Sequence, residues 1–164
     1  MDEKVFEAMF LRMIGNRDNR FHPLLWINGE PEIGSMVYIG GMSEINAKGA
    51  RVVIGDYCDI ASFVSINVAD SHLRCLGLSV CNDCRDIVIK DHVFIGSHCA
   101  ILGGTYIGGH SVIGAGTVLR GERVPDFSLA VGNPAVVKKG YYRERLDSGL
   151  RFRDKWNPKL QTPE

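Results

Sequence analysis

Residues 89–119 read IKDHVFIGSHCAILGGTYIGGHSVIGAGTVL, and an aliphatic residue stands at every sixth position of this stretch. An amphipathic helix needs apolar residues three and four apart, and a half-buried strand needs alternation, so neither produces this period. A hexapeptide period is typical of a parallel β-helix, in which three hexads complete one triangular coil and residues eighteen apart stack. The same period occurs twice more, before and after a shift of three residues. The full series is Ile33, Ile39, Ile45, Ile54, Ile60, Ile66, Ile89, Ile95, Ile101, Ile107, Ile113 and Leu119.

The positions around the aliphatic residue fit the corners of such a coil. Glycine often follows it, as at Gly96 and Gly114, because tight corners need backbone angles that glycine adopts easily. The fourth residue after it is usually small, and we expect it to share the narrow interior with the aliphatic side chain. Cys58 and Cys99 occupy this position, which predicts that both are buried and behave as small hydrophobic residues.

Composition and charge indicate a single soluble domain. The chain has 164 residues, with 19 basic and 19 acidic side chains and a formal net charge of zero, which argues against a nucleic-acid-binding surface. No apolar stretch is long enough to cross a membrane, and the acidic start MDEKVFEAMF lacks the layout of a secretory signal. This start and the odd number of cysteines, five, predict reduced thiols in the cytoplasm.

One long insertion, residues 67–88, interrupts the repeat and reads NVADSHLRCLGLSVCNDCRDIV. Insertions of this length in compact proteins are usually functional. His72 is the candidate for chemistry, because a neutral imidazole can take the proton of an attacking hydroxyl or amine. Asp70 and Ser71 flank it on the chain. The insertion alone equally permits a solvated histidine without a catalytic role.

The coil before the insertion, IGDYCDIASFVSI (residues 54–66), resembles a pattern of the hexapeptide-repeat acyltransferases, IGDxxxIAxxVxI. This pattern belongs to the branch of galactoside, maltose and chloramphenicol acetyltransferases. The resemblance implies an all-β, left-handed parallel β-helix at residues 31–139 with a loop excursion at 67–88. An N-terminal helix and lead-in would span residues 1–30, and a C-terminal extension residues 140–164. It also implies that His72 is the general base for direct attack on a thioester, with Asp70 and Ser71 binding the acceptor.

Two later stretches are similar to the cofactor-binding part of this family. FIGSHCAILGGTYIGGHSVIGAGTVL (residues 94–119) matches WIGSxxxIxPGVxIGxxSVIGAGSVV, with Phe94 in place of the usual tryptophan. GNPAVVKK (residues 132–139) resembles the family's closing GNPAxxI(K/R). The resemblance implies a groove for acetyl-CoA (coenzyme A) as acyl donor, between the subunits of a homotrimer. Arg120 falls on a cofactor-side position where the family usually has a small hydroxyl residue. The implied contacts are Ser97, Gly114, Ala115, Asn133, Pro134, Lys138 and Lys139.

The resemblance therefore implies an acetyl-CoA-dependent O- or N-acetyltransferase that needs no metal. Its acceptor would be a sugar, a nucleotide-sugar or a polysaccharide precursor. One alternative is a non-catalytic β-helix subunit that only organises an assembly. Another is a zinc enzyme similar to the γ-class carbonic anhydrases, although the corresponding coil, KGARVVIGD, lacks that family's RGD. Its candidate ligands are outward-facing histidines, of which the first and third would stack on one face: His92, His98 and His110.

The insertion also contains three cysteines, two of them in the C-x-x-C sequence CNDC. A single C-x-x-C is a weak signal for structural zinc, which usually takes two such pairs. Coordination by His72 would prevent that residue from acting as a base, so the two interpretations exclude each other. We favour free thiols at Cys75, Cys81 and Cys84.

Overall fold

A computed structural model describes residues 2–13 and 20–144 of the chain. It contains two helices, α1 (Glu3–Met13) and α2 (His72–Cys75). In chain order the strands are β1 (Trp26–Asn28), β2 (Glu32–Ile33), β3 (Tyr38–Ile39), β4 (Glu44–Asn46), β5 (Val52–Ile54), β6 (Asp59–Ile60), β7 (Ser65–Asn67), β8 (Ala69–Asp70), β9 (Asp83–Cys84), β10 (Ile87–Ile89), β11 (Phe94–Ile95), β12 (Ala100–Leu102), β13 (Tyr106–Ile107), β14 (Val112–Ile113), β15 (Val118–Arg120), β16 (Arg123–Val124), β17 (Leu129–Val131) and β18 (Val136–Lys138).

The strands form the three faces of a parallel β-helix of about five turns, which confirms the predicted fold class. Sheet A has the order β1-β4-β7-β12-β15, sheet B β16-β13-β10-β5-β2, and sheet C β18-β17-β14-β11-β6-β3. The register follows the hexapeptide period, so that Ile89 pairs with Ile54 on one side and with Ile107 on the other. The chain passes from sheet A to B to C in each turn. We name the corners after the sheets they join: A/B, B/C and C/A.

The predicted aliphatic positions form the core. Each of them except Ile33 is at most 1% exposed, and Ile33 is half-buried in the first coil. Burying an isoleucine side chain stabilises a fold by about 1.5–3 kcal/mol. These stacked columns therefore supply most of the hydrophobic stabilisation of the solenoid.

The small inner residues connect one coil to the next. The Ser111 hydroxyl donates to the carbonyl of Pro125 (3.0 Å) and accepts the amide of Ser128 (3.1 Å), and both serines are 0% exposed. Thr105 and Thr117 likewise accept an amide of the next coil, from Gly121 and Gly132, but each donates to the carbonyl three residues earlier in its own coil. No buried side-chain nitrogen or oxygen within the described residues lacks a hydrogen-bond partner. The hydroxyls therefore reinforce the stacking of coils without an unsatisfied polar group in the core.

Cysteine takes the same inner position twice, as predicted. Cys58 and Cys99 are 1% and 2% exposed, and their thiols donate to the carbonyls of Lys90 and Gly114. Burial raises the pKa of both thiols. Both remain neutral and unreactive in the folded protein.

Two of the three corners hold non-glycine residues in the left-handed backbone region. The φ of His98 is 60° and that of Phe63 is 62°, whereas Gly104 and Gly121 take positive φ at the A/B corner. Side chains at the B/C and C/A corners face outward and stack from coil to coil. The residues of this kind are Met36, Met42, Tyr57, Phe63, His92, His98, His110 and Phe127.

The solenoid begins and ends differently from the sequence-based expectation. It starts with β1 rather than at residue 31, because Ile27 pairs with Ile45 and Leu25 is already fully buried. At the other end β18 folds back antiparallel on β17, and residues 145–164 of the expected extension lie outside the described residues. The predicted N-terminal helix is confirmed as α1. No helix in the described ranges is long and apolar enough to cross a membrane.

Candidate active site

The insertion leaves the solenoid at the A/B corner as a short, ordered excursion. It is narrower than predicted, since Asn67 still belongs to β7 and Ile87 already begins β10. Its stem is an antiparallel pair of β8 and β9, in which Asp70 lies opposite Asp83. The single-turn helix α2 follows the stem. This hairpin fixes the backbone on which His72 stands.

Asp70 and His72 form a hydrogen-bonded pair. Asp70 Oδ1 accepts the backbone N–H of His72 at 3.0 Å and lies 2.7 Å from Nδ1 of its ring. The backbone hydrogen bond, followed by the side-chain one, lowers the pKa of Asp70 below the ordinary value. Because Asp70 is ionised and can only accept, Nδ1 carries the hydrogen. Nε2 is then the nitrogen of His72 that can accept a proton.

Ser71 lies between these two residues and caps the start of α2 through its backbone. Its carbonyl accepts the amide of Cys75 at 2.9 Å, but its hydroxyl makes no capping bond. The side chain is half-buried. The hydroxyl of Ser71 is therefore not used by the helix that it begins.

A polar cavity of about 370 Å³ lies where the stem meets the A/B corner. The stem can approach the coil closely because residue 103 is glycine, and a Cβ there would lie 2.7 Å from the carbonyl of Val68. Asp70, the hydrogen-bond partner of His72, is among the residues that line this cavity. The lining residues are Asn67, Val68, Ala69, Asp70, Asp83, Arg85, Leu102, Gly103 and Arg120.

An asparagine ladder supports one wall of this cavity. Asn28 Nδ2 donates to Asn46 Oδ1 (3.2 Å), and Asn46 Nδ2 donates to Asn67 Oδ1 (3.0 Å). Asn67 also accepts the amide of Ala69 at 2.9 Å and so fixes the first residue of the stem. This ladder was not predicted from the sequence. Its signal is present, because the three asparagines each follow a hexad aliphatic residue directly.

The residues predicted to bind coenzyme A divide into two groups. Ser97 and Ala115 lie on successive coils at the C/A corner, where the amide of Gly116 donates to the carbonyl of Ser97 at 2.9 Å. Gly114 directly precedes Ala115 there. Residues 132–135 form a turn at the same corner, where the carbonyl of Gly132 accepts the amide of Val118 at 3.1 Å. The structure therefore brings five of the predicted residues to one edge: Ser97, Gly114, Ala115, Asn133 and Pro134.

Lys138 and Lys139 do not join this group. Both are exposed and follow β18 back across sheet C, toward the B/C corner. The Nζ of Lys138 lies 5.9 Å from the ring centroid of Tyr141. A strand of three residues spans about 10 Å, so the lysines are separated from the Asn133–Pro134 turn by the width of a face.

His72 and the C/A group lie on opposite edges of sheet A. The C/A corner precedes each strand of this sheet, and the insertion leaves from its far end at the A/B corner. A strand such as β12 therefore stands between Ser97 and the His72 side of the same chain. One chain by itself does not bring the predicted base to the predicted cofactor positions.

A larger, mostly apolar groove of about 730 Å³ lies beside the C/A corner, between α1 and sheet A. His98 reaches this groove and stacks on Phe63, with ring centroids 4.9 Å apart. His98 also directly follows Ser97 on the chain. The lining residues are Phe10, Leu24, Trp26, Met42, Ser43, Glu44, Phe63, Val64, Ser65 and His98.

The two metal hypotheses can be compared with the same structure. His92 and His110 stack on the B/C corner, as predicted, with ring centroids 4.6 Å apart and planes 9° apart, while His98 lies on the C/A corner. Stacked rings present their faces to each other rather than their nitrogen lone pairs. Over residues 2–13 and 20–144, no group of three or more histidine, cysteine or acidic side chains could hold a metal ion. The cysteines of the insertion are free thiols: Cys75, Cys81 and Cys84.

Comparison with known proteins agrees with this architecture. Residues 86–121 match the family model of the bacterial transferase hexapeptide, which comprises six repeats. None of the curated proteins matches this chain. Among solved structures, the polySia-specific acetyltransferase NeuO is 30% identical with a TM-score of 0.60, over 73% of this chain and 59% of that chain. This chain thus spans about three fifths of the length of that enzyme.

Two further solved structures contain a coenzyme. A hexapeptide-repeat acetyltransferase of Vibrio cholerae O1 biovar eltor, complexed with acetyl coenzyme A, is 25% identical with a TM-score of 0.51, over 85% of this chain and 78% of that chain. A galactoside acetyltransferase in complex with coenzyme A is 25% identical with a TM-score of 0.56, over 88% of this chain and 76% of that chain.

Proposed function

We propose that this chain transfers an acetyl group from acetyl-CoA to a hydroxyl or amino group of a sugar, because residues 86–121 match the bacterial transferase hexapeptide and the solved structures that it resembles include acetyltransferases. The observation that carries the proposal is the Asp70–His72 pair. It places an oriented imidazole, with Nε2 able to accept a proton, beside a polar cavity. The same observation favours an enzyme over a non-catalytic assembly subunit, which needs no such pair.

The chemistry follows from this geometry. Nε2 of His72 takes the proton of the acceptor as its oxygen or nitrogen attacks the thioester carbonyl carbon. The new acyl bond forms while the carbon–sulfur bond breaks, and the proton passes from Nε2 to the departing thiolate. The ionised Asp70 stabilises the imidazolium that exists between these two transfers. Backbone N–H groups would stabilise the oxyanion, and no acyl-enzyme is needed.

The donor would come to this site from a neighbouring copy of the chain. The pantetheine arm suits the C/A edge of Ser97, Gly114 and Ala115, where Ala115 is exposed and the other two are half-buried. Its phosphates would need cations, and the exposed Lys138 and Lys139 can supply them. Since one chain holds His72 on the other edge of sheet A, we propose a homotrimer in which each site combines edges of two subunits. Sugar or nucleotide-sugar acceptors of polysaccharide precursors, and a cytoplasmic location, belong to the same proposal.

A coupled assay of thiol release tests the proposed function. Acetyl-CoA is supplied with a panel of hydroxy- and amino-sugars, and the wild-type protein is compared with His72→Ala. General base catalysis predicts that kcat falls by about 10²- to 10⁴-fold. The matched control is His92→Asn, an exposed corner position outside the site where asparagine tolerates positive φ, and we expect it to keep activity. A wild-type protein that neither releases thiol nor binds coenzyme A would instead identify an assembly subunit.

The proposed shared site has its own test. Mixed oligomers are formed from His72→Ala chains and chains with Ala115→Trp at the C/A edge, each inactive alone. If each site combines two subunits, mixing restores part of the activity, because some interfaces then pair an intact His72 with an intact edge. Complete absence of restored activity in a mixed trimer, shown by sedimentation, would place both groups in one chain.

A further inference from the structure

The polar cavity beside Asp70 contains two arginines, and only one of them is paired. Arg85 Nε lies 3.3 Å from Oδ2 of Asp83, and the remaining acid on the cavity wall, Asp70, is held by His72. Each carboxylate of the cavity thus already has a partner. The guanidinium of Arg120 has no hydrogen bond or ion pair within the described ranges, although its backbone N–H donates to the carboxylate of Glu122.

Both arginines line the cavity at the A/B corner. A Cβ built at Gly104 or at Gly121 would lie 3.3 Å or 3.5 Å from Nη1 of Arg85. The Arg85 side chain therefore passes over these glycines and reaches the residue that follows Arg120. Arg85 is paired with Asp83, whereas no described carboxylate lies within ion-pair distance of the Arg120 guanidinium. This guanidinium is therefore available to an anionic ligand in the cavity.

Arg120 belongs to the same column as the residue that anchors the stem. Along the end of sheet A, Asn67 pairs with Leu102, and Leu102 pairs with Arg120. Strands lie about 4.8 Å apart, so Arg120 stands two strand spacings, about 10 Å, from Asn67. A long side chain covers part of that distance, which is why it lines the cavity together with Asp70.

From this arrangement we infer that the acceptor carries a carboxylate, which Arg120 binds with help from Arg85 while His72 takes the proton of the reacting group. This inference rests on the proposed function, and it names the class of acceptor: an acidic sugar such as a uronic or sialic acid. A cavity of about 370 Å³ suits one sugar unit rather than a whole nucleotide cofactor.

A different source of negative charge, the phosphates of coenzyme A, must be separated from the carboxylate. The test therefore measures binding as well as turnover. Isothermal titration calorimetry uses the methyl glycosides of glucuronic acid and N-acetylneuraminic acid, each beside its neutral counterpart, the glucoside and the methyl ester. The proteins are the wild type, Arg120→Gln and the control Arg123→Gln. Arg123 stacks over the ring of Tyr106 at 4.0 Å on the neighbouring face and does not line the cavity.

The expected result is that wild type and Arg123→Gln bind at least one acidic glycoside more tightly than its neutral counterpart. Arg120→Gln should lose this preference by about 10- to 100-fold, the factor of one charge-assisted hydrogen bond. Its KM for acetyl-CoA should stay unchanged in the thiol-release assay. Binding is measured without acetyl-CoA, so an enzymatically inactive protein that still prefers acidic glycosides would contradict the proposed function and leave only the carboxylate-binding site at Arg120.

Three outcomes would overturn the inference. Equal binding of the acidic and neutral glycosides by the wild type would remove the need for a carboxylate. An unchanged preference for the acidic glycosides in Arg120→Gln would show that Arg120 does not bind the carboxylate. A rise in KM for acetyl-CoA in Arg120→Gln, with no change toward the acidic glycosides, would assign this arginine to the phosphates of the donor.

Discussion

The hydroxyl of Ser111 offers a quantitative test of how the coils are joined. In Ser111→Ala the carbonyl of Pro125 loses its donor and the buried amide of Ser128 loses its acceptor. Each lost hydrogen bond costs about 1 kcal/mol, and an amide left buried without a partner costs about 1–3 kcal/mol. Allowing for overlap between these contributions, we expect the free energy of unfolding to fall by about 2–4 kcal/mol.

The measurement is urea unfolding followed by circular dichroism at one fixed protein concentration, since oligomerisation makes stability depend on concentration. Ser35→Ala is the matched control, because Ser35 is exposed. We expect that control to change stability by less than about 0.5 kcal/mol. Ser111→Thr keeps the hydroxyl, and Thr105 and Thr117 already occupy the same hexad position elsewhere. It should therefore stay close to the wild type.

Two results would refute this reasoning. A loss in Ser111→Ala no larger than in Ser35→Ala would mean that the inner hydroxyls add nothing to coil stacking. Equal losses in Ser111→Ala and Ser111→Thr would attribute the effect to side-chain shape and not to hydrogen bonding.

Three further predictions concern the core, the pair beside the cavity and the thiols. Ile101→Ala, in the middle of the sheet A column, should lower the free energy of unfolding by about 2–5 kcal/mol in the same urea experiment. Asp70→Asn should lower kcat/KM by about 10- to 100-fold, since it removes a charge-assisted hydrogen bond. The pKa of Asp70 is lowered, so the hydrogen-bonded pair of Asp70 and His72 is intact above the ordinary carboxyl range. The pair is lost only as pH falls through the lowered pKa of Asp70. Asp70 is thus ionised throughout pH 6 to 8, the range in which wild type and Asp70→Asn should be compared. An aromatic disulfide reagent should modify the exposed thiols of Cys75 and Cys81 quickly. It should modify the buried thiols of Cys58 and Cys99 only on unfolding.

The fold could be read from the sequence because one period determines which side chains face inward. The aliphatic residue and the small residue four places after it both face inward. The residue three places after the aliphatic residue lies at a corner and faces outward. This explains why the stacking of His92 on His110 could be predicted from a spacing of eighteen alone. Ile27 precedes Ile33 by six residues, but the stretch around it is otherwise irregular. For this reason the start of the solenoid at β1 was not predicted.

The candidate site could be predicted only in part, because its geometry does not follow the period. The hairpin of β8 and β9 consists of two-residue strands, which are too short to show any alternation. The motif GNPAVVKK is continuous in sequence, yet the reversal at residues 132–135 sends its lysines to another edge. Arg85 and Arg120 are 35 positions apart on the chain and line one cavity only because the insertion returns to the corner it left.

The antiparallel return of β18 also governs how far this architecture can grow. In a stack of identical coils, the last coil exposes the same kind of open strand edge on which each earlier coil was added. Such edges invite end-to-end polymerisation. Here the last edge of sheet C runs in the opposite direction, so a second molecule cannot continue that sheet in the parallel register of its own first coil. Whole coils could be inserted upstream in multiples of eighteen residues, whereas removal of the return would leave a fibre-forming end.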